Sequence, residues 1–279
     1  MRALRVTARH TPDTRGVHDT RDTRGDRPAL LVVAHGSRDP RHAATVAALC
    51  ARLRGLRPKL RVEVGHLDFN APSVPQVLTR LHADGVRRVV ALPLLLTRAF
   101  HAKADIPAVL GETVARLPRL AVRQADVLGP DRLLTAALER RLHEAGLRPG
   151  DERSTGVVLA SAGSSDPEAI AVIADIAREW RHISGWCAVR PAFASASLPR
   201  TADAVRELRA RGVRRVAVAP YVLAPGFLPD RIAAGAREAG ADLLAPVLGD
   251  APELARLMAC RYDETLVRWP VEGGVPVSA

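Results

Sequence analysis

The sequence predicts an α/β fold of two similar domains, each a small parallel sheet with helices on both faces, opposed across a cleft. Three observations predict it. Short aliphatic runs alternate with amphipathic stretches, the pattern of βαβ units around a sheet buried on both faces. The chain also matches itself without gaps at an offset of 127 residues: HGSRDP at 35–40 against AGSSDP at 162–167, and LHADGVRRVVALPLLLTRAFH at 81–101 against LRARGVRRVAVAPYVLAPGFL at 208–228. Finally, 279 residues exceed one minimal domain and suffice for two cores.

Taken in order, residues 11–27 (TPDTRGVHDTRDTRGDR) carry almost no apolar side chain and cannot repay the entropy of ordering. Residues 1–28 therefore read as a disordered basic tail. ALLVVA from Ala29 is the first strand, a helix follows from about Pro40, LRVEVGHL is the second strand, and a helix starts at Ser73. VRRVVALPLLL holds the third strand, with a helix from Ala102 after it. A shorter strand at 120–125 and a helix to about Ala145 complete the first domain, 29–147. Pro, Gly and charged residues at 148–154 mark a linker. The repeat covers 154–268 and 269–279 reads as a tail.

Composition narrows the function. An aromatic fraction of 3% disfavours base-stacking surfaces. Cys50, Cys187 and Cys260 show no C-x-x-C spacing, which argues against a disulfide framework or a zinc or iron–sulfur site and for a reducing cytoplasm. No apolar stretch is long enough to span a bilayer, and the Arg-rich start lacks the apolar centre of a secretory signal, so no membrane partner is expected. The net charge of +11 raises affinity for polyanions of any kind, but the basic helices lack the patterns that read nucleic acid. No phosphate loop, G-x-G-x-x-G or G-x-S-x-G elbow is present, which sets aside ATP-driven, dinucleotide and serine-hydrolase chemistry.

The halves differ where chemistry could sit. His35, His66, Asp68 and His101 correspond to Ala162, Phe193, Ser195 and Leu228. His35 follows the first strand, Asp68 ends the second and His101 lies beyond the third, all at the carboxyl edge where open α/β sheets bind ligands. Imidazole suits Fe, Co, Ni and Zn, and a carboxylate completes coordination or accepts protons. His35, Gly36 and Ser37 open a helix whose first amides could hold a substrate carboxylate. His66 shares a strand face with Asp68 and reads either as packing or as flanking the cleft. His10, His18, His42, His82, His143 and His182 read as tail or helix-surface residues.

The motifs LLVVAHGSRDPR (30–41), VEVGHLDFNAPSV (62–74) and ALPLLLTRAFHAKADIP (91–107) resemble those of the sirohydrochlorin chelatases, the class II enzymes that insert cobalt or iron. The resemblance runs from about Ala29 to Arg268. It implies two chelatase-like domains and ATP-independent insertion of a divalent metal into sirohydrochlorin, a polycarboxylate tetrapyrrole. It makes His35 and His101 the catalytic, metal-binding pair, with Asp68 beside them. Gly36, Ser37, Arg38, Arg98 and Lys103 would meet the substrate. No permanently bound cofactor is implied, only Fe²⁺ or Co²⁺ as substrate. Iron insertion to siroheme is favoured, because stand-alone two-domain members are often paired with siroheme synthesis; cobalt insertion towards cobalamin is the alternative, and a non-catalytic metal or tetrapyrrole carrier is the reading of another class. The sequence departs from the family at His66-Leu67-Asp68, where F-L-E is common, and at Ala99, where glycine is common. Fusion of the repeats is compatible with a monomer and leaves the oligomeric state open.

Overall fold

The computed structural model describes residues 27–98 and 101–269, with His101 described by its backbone. The expected tails lie outside these residues except at their inner ends. The first half runs β1 (Ala29–Ala34), α1 (Pro40–Leu56), β2 (Val62–His66), α2 (Val74–Ala83), β3 (Arg88–Pro93), α3 (Ile106–Val114), β4 (Ala121–Gln124) and α4 (Arg132–Glu144). The second runs β5 (Thr155–Ser161), α5 (Pro167–Ser184), β6 (Ala188–Phe193), α6 (Thr201–Ala210), β7 (Arg215–Tyr221), α7 (Phe227–Glu238), β8 (Leu243–Leu244) and α8 (Pro252–Val267). Each half forms one parallel four-stranded sheet, in the order β2-β1-β3-β4 and β6-β5-β7-β8. All six residues of β1 and all seven of β5 are buried, as sheets covered on both faces require.

Local signals place the helices that open at the carboxyl edge. Asp39 caps α1 by accepting a hydrogen bond from Arg41 N, ahead of Pro40 in the first turn. Asp166 does the same for α5 through Glu168 N, ahead of Pro167, so the S-x-D-P motif is a start signal written twice. Ser73 and Gln76 form a capping box on α2. The helix expected from Ala102 starts differently. Residues His101–Asp105 make a π-helical turn and regular α geometry begins only at Ile106. Pro107, in the first turn of α3, has no N–H to donate to the carbonyl four residues back, so the α ladder cannot extend upstream through it.

The halves do not keep to themselves. The outer face of the first sheet packs on α2 and α3 and that of the second on α6 and α7, but the inner faces share one core with α1, α4, α5 and α8. The last helix of each half crosses over: α4 lies on β7, and α8 lies on β3, α1 and α4. Leu49, Leu53, Leu134, Leu138 and Trp180 are below 2% exposed in this shared core, and burying side chains of this size is worth about 1.5–3 kcal/mol each.

Candidate active site

The carboxyl ends of β1, β3, β5 and β7 meet at a cavity of about 330 Å³ whose wall comes from both halves. His35, His42, Leu96 and Thr97 line it from the first half, and Ser161, Ala162, Ile170, Tyr221 and Leu228 from the second. The wall is mostly aliphatic. His35 and His42 carry its only side-chain nitrogens among the described residues.

The loop that presents His35 is built around Gly36, whose φ is 96°. A Cβ there would stand 1.8 Å from the carbonyl oxygen of Asp68, so only glycine fits. That closeness ties two loops. Asp68 N donates to His35 O at 2.9 Å and Ser37 N donates to Asn70 Oδ1 at 2.7 Å. Phe69, with φ 61° and 58% exposed, stands edge-on to the His35 ring with centroids 6.2 Å apart. The Arg38 guanidinium lies over the Phe69 ring, 5.2 Å from its centroid. The equivalent loop repeats the backbone, with Gly163 at φ 90° and Ala196 at 58°, but places a methyl where Phe69 stands.

The other residues singled out in the sequence are spread around this centre. Asp68 lies beyond the end of β2, which stops at His66, and is exposed rather than part of the cavity wall. His101 opens the π-helical turn. The Ser37 amide and hydroxyl are used inside the loop, the hydroxyl by Asp39 N at 3.1 Å, and α1 opens only at Pro40 with Asp39 as its cap, so His35, Gly36 and Ser37 form the loop before the helix and not its first turn as expected. Lys103 Nζ reaches Asp166 at 3.1 Å and Glu168 at 2.8 Å in the opposite half. Arg98 pairs with Asp126 at 2.6 Å beside Arg261 and Arg268, in a separate shallow pocket. Among the described residues no three His, Cys, Asp or Glu side chains converge to hold a metal.

His66 is 7% exposed and its Nδ1 sits 3.3 Å from Pro72 O, while its Nε2 is buried without a partner among the described residues. His42 overturns its reading as a solvated helix residue. It lies half-buried in the first turn of α1 and faces the cavity. Burial, followed by the proximity of His66 and His35, pushes its imidazole below the ordinary histidine range, which favours the neutral ring. Helical periodicity marked α1 as amphipathic without saying which flank meets a cleft. The repeat held the signal, since His42 corresponds to Ala169 just as His35 corresponds to Ala162.

Known proteins share this architecture. A sirohydrochlorin ferrochelatase of Priestia megaterium is 27% identical over 235 residues, 83% of this chain and 88% of its own. A sirohydrochlorin cobaltochelatase of the same organism is 28% identical over 207 residues, covering 73% and 67%. The solved structure described as SirB from Bacillus subtilis with Fe³⁺ superposes with a TM-score of 0.74 at 26% identity, covering 86% of this chain and 95% of that one. The CbiX family profile matches twice, at residues 29–145 and 156–265. With both halves of the described fold accounted for by that profile, the chain belongs to the CbiX family.

Proposed function

We propose that this protein is a sirohydrochlorin chelatase that inserts a divalent metal into the macrocycle without ATP, in the cytoplasm, with Fe²⁺ as the first candidate and Co²⁺ as the alternative. One observation carries the reading: a cavity between two CbiX-type halves has His35 in its wall where the other half has Ala162. The relatives named above carry both iron- and cobalt-inserting names, which leaves the metal to experiment.

Metal insertion needs a donor that releases its ion, a base for two pyrrole protons, and a surface that bends the ring. Neutral imidazole serves as donor or base near pH 7. We assign those tasks to His35 and His101, with Asp68 at the rim as an auxiliary acid. Aliphatic walls exclude water and leave the metal's competition to imidazole and pyrrole nitrogen. Gly36 and Ser37 shape the loop that aims His35. Arg38, exposed over Phe69, is the best placed cation for a peripheral carboxylate. Arg98 and Lys103 start from acidic partners and would exchange them for substrate. The sequence units 29–147 and 154–268 are on this reading the site-bearing domain and its degenerate partner.

The test is anaerobic metallation at catalytic enzyme concentration, with Fe²⁺ and Co²⁺ compared in one preparation and followed by loss of free-base sirohydrochlorin absorption. Multiple turnovers above the spontaneous rate support the enzyme. Stoichiometric binding without acceleration supports a carrier instead.

A further inference from the structure

The cavity wall holds an imidazole that the proposed chemistry does not use. His42 projects from the first turn of α1, and Ala169, its counterpart in the first turn of α5, lines the same cavity. The two helices open with the same cap and proline, so the wall contains its own control: an imidazole in one half and a methyl in the other. His42 also lacks the tie of a structural histidine. His82 Nε2 is anchored 2.9 Å from Pro118 O and His66 Nδ1 at 3.3 Å from Pro72 O, whereas His42 Nδ1 is buried with no partner among the described residues. A buried ring nitrogen without a hydrogen bond costs stability, so hydrogen bonding among the described residues does not account for an imidazole at this place.

We propose that His42 is a second metal-handling imidazole inside the cavity, a transient donor to the divalent cation between solvent and macrocycle. The inference rests on the chelatase reading and deepens it. The aquo ion exchanges one water for the neutral imidazole, with no proton released and no electron transferred, and the bond breaks again as pyrrole nitrogens take over. Hydroxyls of Thr97, Ser161, Ser164 and Tyr221 are the remaining polar side-chain groups among the described residues of the wall, and they are poorer donors to Fe²⁺ or Co²⁺ than imidazole.

Calorimetric titration of the full chain with Co²⁺ alone, without macrocycle, tests this separately from turnover. His42→Ala, which copies the second half, and His42→Gln, which keeps volume and polarity, are each expected to weaken Co²⁺ binding roughly tenfold or more. Both should slow metallation while leaving KM for sirohydrochlorin unchanged and Tm no lower than that of the wild type. If His42→Ala fails to fold, His42→Gln carries the test. Co²⁺ affinity within about twofold of wild type in the folded variants, or no measurable Co²⁺ binding by the wild type, would overturn the proposal. A wild type that binds Co²⁺ through His42 yet never metallates sirohydrochlorin would instead sink the chelatase reading.

Discussion

Arg41 and Glu168 occupy equivalent places in the two halves and reach across the cleft with opposite charge: Arg41 lies 2.8 Å from Asp230, and Glu168 lies 2.8 Å from Lys103. Lys103 and Asp230 are themselves equivalents at the 127-residue offset. The cleft is thus held by two ties related by the pseudo-twofold with both signs reversed. Lys103 gains a second carboxylate from Asp166, and hydrogen bonds from Lys103 hold that carboxyl below the usual range. We expect Lys103→Glu to raise KM by roughly fivefold to tenfold, and the swap Lys103→Glu with Glu168→Lys, which restores the tie but not a cation at position 103, to recover little of it. Steady-state kinetics at low and high salt decide; a swap that recovers most of the loss would mean that Lys103 serves the tie and not the substrate.

His35→Ala and His101→Ala are each expected to lower kcat by about 10²–10⁴ with Tm unchanged. Turnover and thermal melts on the same preparations check this. Near wild-type turnover in His101→Ala would end the two-histidine assignment.

Gly36→Ala drives a methyl into the Asp68 carbonyl at 1.8 Å and forces alanine to φ 96°. The expected cost is about 2 kcal/mol or more, read by urea denaturation, with activity lost as the two loops separate. Gly85→Ala is the control, because that glycine also has positive φ but nothing within 4 Å of the added carbon.

Arg140 on α4 donates to Glu253 on α8 at 2.5 and 3.0 Å, and the Glu253 side chain is only 8% exposed. The guanidinium holds this carboxyl below the ordinary glutamate range. A depressed carboxylate adds stability above its unfolded pKa, near 4.3, and loses it as pH falls through the lower folded value. Arg140→Met should therefore lower Tm by several degrees at pH 7 and by progressively less towards pH 3. An undiminished difference at low pH would show that Arg140 acts through packing alone.

Much of this was legible in the sequence because strands, caps and the repeat are local or periodic signals. ALLVVA, the helix start near Pro40 and the 127-residue register all appear as read. The cavity-facing role of His42 was not legible, because α1 borders both a core and a cleft and periodicity shows only that one side is buried. The outward position of Asp68 follows from β2 ending two residues early, at a loop folded back onto Gly36 by hydrogen bonds that no motif announces. The acidic partners of Lys103 come from 63 and 65 residues away, beyond any local pattern.

The exchanged helices bear on how a large planar molecule gets in. In a clamshell, two lobes pivot on a linker and the mouth gapes. Here α4 and α8 are cross-braces, each rooted in one sheet and cemented to the other, so pivoting would shear a common interior that resists deformation. Entry is left to the rim, where Phe69 and Phe227 stand exposed beneath arginines, and the guest must bend to fit a frame that yields little.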